Sequence, residues 1–137
     1  MVKIIMGLKG SGKTKKLVDL VRQAVEEDNG SVVCIEKAKN LTFDIPYQAR
    51  LVETDSYSIN NYECFRGLIC GLHAGNYDIT HFFIDNYFKI VNNTSVEDMM
   101  AFTEWLSKFS KEENIDFTIS MSMDAANVPE SFKGYLI

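Results

Sequence analysis

Residues 7–14 restrict the possible folds of this chain more than any other segment, because they match the pattern G-x-x-x-x-G-K-[ST] at every fixed position. Glycines at these positions let the backbone curl until consecutive N–H groups point into one concave space. A strand must enter such a loop and a helix must leave it, with the positive end of the helix facing the same space. The pattern therefore predicts an anion-binding loop between a strand and a helix, and its residues are Gly7, Lys9, Gly10, Ser11, Gly12, Lys13 and Thr14.

The segments on both sides of the loop fit this prediction. Residues 2–6 form a short run rich in β-branched side chains, which is typical of a buried strand. After Thr14, apolar side chains recur at helical spacing until Asn29 and Gly30 provide a stop signal, and the apolar positions are Leu17, Leu20, Val21, Ala24 and Val25. A chance glycine-rich turn is the alternative, but it would not need a strand and a helix in these two places.

The loop pattern also predicts the ligand, which is a nucleoside triphosphate. In such loops the lysine, here Lys13, reaches the β- and γ-phosphates and is therefore a catalytic candidate, while the hydroxyl group of Thr14 is a ligand of Mg²⁺. ATP is favoured over GTP, because the chain contains no N-K-x-D segment of the kind that reads guanine.

A second informative segment, residues 79–85, is an apolar strand that ends in an aspartate. It has the features of a Walker B motif, in which the aspartate lies beside the phosphate loop and orients a water molecule in the Mg²⁺ shell. We therefore expect Asp85 to contribute to the metal site through water. An aspartate that only caps a turn is the alternative.

The rest of the pattern predicts three more strands and two more helices. We expect strands at residues 31–35, 50–53 and 115–121, a helix at about 60–73 that ends near Gly75, and a helix from a capping box at 94–97 to about residue 112. Residues 37–47 are predicted to form a loop. This order demands a three-layer α/β fold, with a mainly parallel sheet and helices on both faces.

Ligands of such sheets lie at the carboxyl ends of the strands. The loop at residues 7–14, Glu36, Asp85 and either Ser120 or Ser122 all fall at these ends, so independent segments predict one site. A polar residue at the end of the last strand can sense the γ-phosphate, although serines there are often turn formers.

Length and charge limit the other possibilities. With 137 residues the chain is expected to form one domain, residues 1–137. The net charge of −5 argues against nucleic acid as a partner, since backbone binding needs clustered Lys and Arg. Lys9, Lys13, Lys15 and Lys16 do cluster, but they surround the predicted phosphate loop.

The sequence has neither the pattern of a signal peptide nor a segment of transmembrane length, so we expect no membrane insertion. Cys34, Cys64 and Cys70 form no C-x-x-C pair, and one of them stays unpaired in any disulfide scheme. This favours reduced thiols in a cytoplasmic protein. His73 and His81 are isolated from other ligand-type residues in the sequence, and a zinc site is not expected.

Four features together resemble the core of the thymidine kinase branch of RecA-like P-loop NTPases. They are residues 7–14, the strand 32–35 followed by Glu36 and Lys37, Asp85 after an apolar strand, and the ending from Asp124 to Gly134. The resemblance implies an ATP-binding domain with Mg²⁺ as cofactor.

This sequence also departs from that family in two places. In those kinases a glutamate follows the Walker B aspartate and serves as catalytic base, whereas the corresponding residue here is Asn86, which cannot accept a proton. The zinc-bearing lasso that closes over the nucleoside in those kinases has no counterpart in this sequence.

If hydrolysis occurs, a group other than Asn86 must activate the water. Glu36 is the first candidate, because the strand beside the Walker strands can deliver a carboxylate to the γ-phosphate in RecA-like folds, and Asp55 is the second. The chain has only three arginines, so an arginine finger would come from another subunit or a protein partner; they are Arg22, Arg50 and Arg66.

We therefore expect an ATP-binding protein with weak or partner-stimulated NTP hydrolysis. One alternative is a minimal nucleoside or small-molecule kinase, whose acceptor pocket is formed by residues 37–47 and the tail after Asp124. The other is a nucleotide-gated interaction module without catalysis, in which the segment after Asp85 is the switch.

Overall fold

The computed structural model describes residues 1–137 and contains a five-stranded sheet with four α-helices packed on it. The strands are β1 (Val2–Gly7), β2 (Ser31–Glu36), β3 (Arg50–Glu53), β4 (Ile79–Ile84) and β5 (Asp116–Ser122). The helices are α1 (Lys13–Glu27), α2 (Tyr62–Gly75), α3 (Tyr87–Val91) and α4 (Val96–Glu113). Three short 3₁₀ segments follow strands β3 and β5, at Thr54–Tyr57, Ala125–Asn127 and Glu130–Tyr135.

All five strands run parallel, in the spatial order β1-β5-β4-β2-β3. The prediction of a mainly parallel α/β sheet is confirmed, and the sheet is Rossmann-like. The register aligns the end of β1 with that of β5, since Gly7 pairs with Ser122, and the end of β2 with that of β3, since Glu36 pairs with Glu53. Strand β4 ends three residues before β5, with Ile84 opposite Ile119. The segments that follow the strands therefore emerge at one edge of the sheet.

Side chains alternate between the two faces of the sheet and build two separate cores. Ile5, Cys34 and Phe83 point to one face, where α1 packs with Leu17 and Val21. The other face carries the larger core, which α2, α3 and α4 cover together; its strand residues include Ile4, Val33, Ile35, Phe82, Ile84, Phe117 and Ile119. Because most residues of β2, β4 and β5 are buried on one face or the other, these strands appear in the sequence as largely apolar runs.

An aromatic cluster occupies the larger core below α3. The ring of Tyr87 stacks on Phe102, with centroids 5.3 Å apart, and lies 6.0 Å from the ring of Tyr62. Phe102 continues to Trp105 at 5.7 Å. This cluster ties the first residue of α3 to both α2 and α4.

Helix starts differ from the sequence prediction in ways that have local causes. The cap of α4 is Ser95, whose hydroxyl accepts a hydrogen bond from the N–H of Asp98 at 3.2 Å, so the predicted capping box at 94–97 is wrong by one residue. The side chain of Asn61 caps α2 by accepting from the N–H of Cys64 at 2.9 Å, and the helix starts at Tyr62 rather than near residue 60. Helix α3 was not predicted at all.

None of the four helices is both long and apolar enough to cross a membrane.

Two glycines provide a test of packing around the sheet. A Cβ at Gly30 would overlap the carbonyl oxygen of Asp78 and the methyl group of Thr80, whereas a Cβ at Gly71, within α2, would meet no atom within 4 Å. Gly30→Ala should lower the free energy of unfolding by about 1–3 kcal/mol through overpacking. Gly71→Ala should raise it by roughly 0.5–1 kcal/mol, because glycine weakens a helix interior. Urea unfolding of both variants is the measurement, and equal effects would contradict the packing described here.

His81 predicts a pH dependence of stability. Its Nε2 lies 2.8 Å from the hydroxyl of Thr118, and burial lowers its pKa to about 4, although Asp116 and Asp28 act in the opposite direction. Between pH 6.5 and 4 the unfolded chain therefore binds a proton that the folded chain does not, and stability should fall as the pH falls, by up to about 3 kcal/mol.

The test compares urea unfolding of the wild type and His81→Gln at pH 7 and pH 4.5. Other titrating groups are shared by both proteins, so their contribution cancels in the difference. The variant should lose clearly less stability on acidification, and parallel losses would show that His81 does not cause the dependence.

Candidate functional site

The loop between β1 and α1 has a backbone that requires its glycines. Gly10 and Gly12 have φ values of 84° and 82°, in the left-handed region that side chains with a Cβ avoid. At Gly7 the constraint is space, because a Cβ would lie 2.6 Å from the hydroxyl oxygen of Ser11. The three glycines of the motif thus allow the loop to close on itself.

Helix α1 begins directly at this loop and leaves its first turn open to an anion. Its N-cap is Gly12, so no side chain satisfies the free N–H groups there, and the first turn contains no acidic residue. Lys13, Lys15 and Lys16 occupy the first turn instead. The positive end of the helix and the ammonium groups of Lys13 and Lys15 therefore lie in one space, which favours a negatively charged ligand, whereas Lys16 does not line that space.

Lys13 is held against the loop although it is a charged residue. Lys13 is only 8 % exposed, and its Nζ donates a hydrogen bond to the carbonyl oxygen of Leu8 at 2.9 Å. The hydroxyl oxygen of Ser11 lies 3.5 Å from the same nitrogen. The ammonium group is thus positioned over the loop before any ligand contributes.

Asp85 lies directly beside the start of α1. It is 4 % exposed, and the Thr14 hydroxyl donates to its carboxylate, with Oγ1 at 3.2 Å from Oδ1 and 3.3 Å from Oδ2. The two residues are 71 positions apart in the chain. The structure thus brings together the two residues that the sequence predicts for the metal site.

Ser120 holds the Asp85 carboxylate in place from the neighbouring strand β5. It is 0 % exposed, donates to Asp85 Oδ1 at 2.6 Å, and accepts from the backbone N–H of Asn86 at 2.9 Å. The side-chain amide of Asn86 donates to the other oxygen of Asp85, Oδ2, at 3.2 Å. Ser120 is therefore a positioning residue for Asp85, whereas Ser122, two residues later, faces the cleft.

These elements surround a polar cleft of about 430 Å³. No apolar side chain and no carboxylate lines it, and the lining residues are Lys9, Gly10, Gly12, Lys13, Thr14, Lys15, Asn86, Lys89 and Ser122. The four lysines repel one another in the absence of an anion. The chemistry of this lining fits a polyanion such as a chain of phosphates.

The residues on the inner side of the cleft fit a magnesium ion. Mg²⁺ prefers hard oxygen ligands and usually keeps several waters, with one or two protein oxygens and phosphates completing its shell. Thr14 offers a hydroxyl oxygen and Asp85 a carboxylate, fixed in place by Ser120 and Asn86.

Glu36 lies at the end of β2 but does not line the cleft. It is 2 % exposed, and its carboxylate accepts from the backbone N–H groups of Asn40 at 3.0 Å and Leu41 at 3.1 Å. Burial raises the pKa of Glu36, while these two hydrogen bonds oppose that shift. In this structure its oxygens hold the loop after β2, and its role as catalytic base stays a prediction.

The other catalytic candidates also lie outside the cleft lining. Asp55 pairs with Lys37 at 3.0 Å. Arg22 donates to the carbonyl oxygen of Asp44 at 3.0 Å, and the guanidinium of Arg66 stacks over Trp105, 4.6 Å from the ring centroid. No arginine of this chain lines the cleft.

Lys89 is the cleft residue that the sequence pattern did not predict. It lies on α3, which is too short for helical periodicity to be read from it. A usable signal was nonetheless present, because Lys89 is the only charged residue in the apolar run that follows Asp85 and Asn86.

No protein-family model matches this chain, and no curated protein matches it in sequence.

Ser120 and Ser122 form a matched pair for testing the site. Ser120→Ala removes a hydrogen bond to Asp85 and leaves the N–H of Asn86 without its acceptor, so it should lower the free energy of unfolding by about 1–3 kcal/mol. Ser122→Ala changes an exposed hydroxyl and should cost less than about 0.5 kcal/mol. Urea unfolding measures both, and a neutral Ser120→Ala would contradict the positioning role.

Proposed function

We propose that this protein binds Mg·ATP in the lysine-rich cleft as a P-loop NTPase of the RecA-like type, with weak or partner-stimulated hydrolysis. The observation that carries the proposal is the hydrogen bond between Thr14 and Asp85. A phosphate-loop threonine and a strand-terminal aspartate have no reason to meet in a chance glycine-rich turn, but they must meet where both contribute to one metal ion.

Each group of the cleft has a distinct task in this proposal. The open N–H groups of the loop and of α1 bind the phosphate oxygens, and Lys13 neutralises charge on the β- and γ-phosphates. Thr14 would hold Mg²⁺ directly and Asp85 would hold it through water. When bound, the ion supplies further charge neutralisation to the phosphates.

The lining of the cleft predicts that ATP hydrolysis is slow. No carboxylate lines it, Asn86 follows Asp85 where a general base would be expected, and the Glu36 carboxylate is engaged with backbone N–H groups. Water activation and the stabilisation of transition-state charge must then come largely from elsewhere. A partner or a second copy that inserts a carboxylate or an arginine would raise the rate.

A nucleoside or small-molecule kinase has less support. Leu41 and Ile45 bury part of the loop at 37–47 against the α1 side of the sheet, and Phe132 buries the tail in the larger core. Neither segment lines the cleft, so no acceptor pocket adjoins the position proposed for the γ-phosphate.

Nucleotide binding is tested by isothermal calorimetry with Mg·ATP. Wild-type protein should bind, and Lys13→Ala should weaken binding roughly 10- to 100-fold, the cost of losing a charge-assisted contact to phosphate. Lys16→Ala is the matched control, since Lys16 lies on the same helix turn but not in the cleft lining. The absence of Mg·ATP binding at millimolar concentration, or an equal loss in both variants, would overturn the proposal.

Hydrolysis is tested by phosphate release from the same samples. The wild type should turn over slowly, and Glu36→Gln should not reduce that rate further if Glu36 only holds its loop. If the wild type instead hydrolyses ATP as fast as an efficient NTPase and Glu36→Gln abolishes this activity, Glu36 is the base. This conclusion requires that the variant still binds Mg·ATP and has the urea midpoint of the wild type.

A further inference from the structure

Lys89 reaches the cleft from α3, a short helix that is anchored in the larger core. The four other residues of α3 are buried in the larger core, namely Tyr87, Phe88, Ile90 and Val91. Lys89 alone is exposed, and its side chain lines the cleft together with Asn86. The packing of α3 therefore determines which side chain of this segment faces the proposed nucleotide.

The position of Lys89 along the cleft follows from the metal site. Thr14 and Asp85 would hold Mg²⁺ at the start of α1, where the ion would neutralise charge on the terminal phosphates of a nucleotide. Lys89 lies on the segment that continues from Asp85 and lines the same cleft as the loop at residues 7–14. A phosphate chain anchored at the loop and at the metal therefore brings its terminal group toward α3.

The charge of Lys89 has no partner within the protein. Outside the cleft, three of the seven lysines pair with carboxylates, in Lys37–Asp55, Lys108–Glu112 and Lys133–Glu130. None of the four cleft lysines forms such an ion pair, and no carboxylate lines the cleft beside them. An unpaired ammonium group held among three others indicates a site whose charge is completed by a ligand.

We propose that Lys89 binds the γ-phosphate and makes the cleft select triphosphates over diphosphates. This inference rests on the proposed function, because it assumes a nucleotide bound through the loop. Lys89 thereby supplies, from the same chain, a cation at the terminal phosphate, where none of the three arginines lies. It acts on binding selectivity, and no bond is made or broken in this step.

The test measures Kd values for Mg·ATP and Mg·ADP with wild-type protein, Lys89→Gln and Lys89→Arg. Lys89→Gln removes the charge but keeps most of the length, and should weaken Mg·ATP binding on the order of tenfold while changing Mg·ADP binding by less than about twofold. Lys89→Arg keeps the charge and should restore most of the ATP preference. Lys16→Gln is the matched control, with the same charge change outside the cleft lining.

The outcomes separate this inference from the proposed function. If the wild type binds both nucleotides and Lys13→Ala abolishes binding, but Lys89→Gln leaves the ratio of the two Kd values unchanged, only the role of Lys89 is overturned. If the wild type binds neither nucleotide, the proposed function fails and this inference fails with it. Because Lys89 is exposed, urea unfolding of its variants should match the wild type.

Discussion

The hydrogen bonds between Thr14 and the Asp85 carboxylate join elements that are not neighbours in the sheet. Thr14 follows β1, Asp85 follows β4, and β5 lies between these strands. Ser120, on the intervening strand β5, fixes the end of β4, because its hydroxyl donates to Asp85 and accepts from the N–H of Asn86. The end of the cleft at which Mg²⁺ is proposed to bind thus depends on three strands keeping their register, and the polar residues there are buried only because each has partners.

Charged residues are distributed unevenly over this molecule. The whole chain carries a net charge of −5, yet the cleft lining holds four lysines and no carboxylate. The buried carboxylates that lie near the same edge, Asp85 and Glu36, are both occupied by hydrogen-bond donors of the protein. An acidic protein can therefore carry a locally positive cleft.

Much of the site could be predicted from the sequence because the glycine loop has a strict local geometry. Gly7, Gly10 and Gly12 are required by close approach and by left-handed backbone, and a run of apolar residues ending at Asp85 marks strand β4. The parallel α/β sheet followed from the alternation of strands and helices, although the strand order was not readable. That order depends on which faces pack together, and this information lies in no single segment.

The features that the sequence analysis missed depend on contacts between residues that show no recognisable motif or periodicity. Thr94 and Ser95 are each followed three positions later by an acidic residue, Glu97 or Asp98, and in the structure the cap is Ser95. Helix α3 is too short for periodicity. The hydrogen bonds that Glu36 accepts from Asn40 and Leu41 were not predicted, because they arise from a turn that contains no glycine or proline.

The aromatic cluster below α3 gives this protein an intrinsic optical probe. Trp105 is the only tryptophan in the chain, and it is linked through Phe102 to Tyr87, which directly follows Asn86 at the cleft. Its indole ring is half-buried and covered by the guanidinium of Arg66, so small rearrangements of the cluster alter its surroundings. The emission of the one tryptophan therefore reports on the packing of a cluster that lies directly behind a cleft residue, and no label has to be attached.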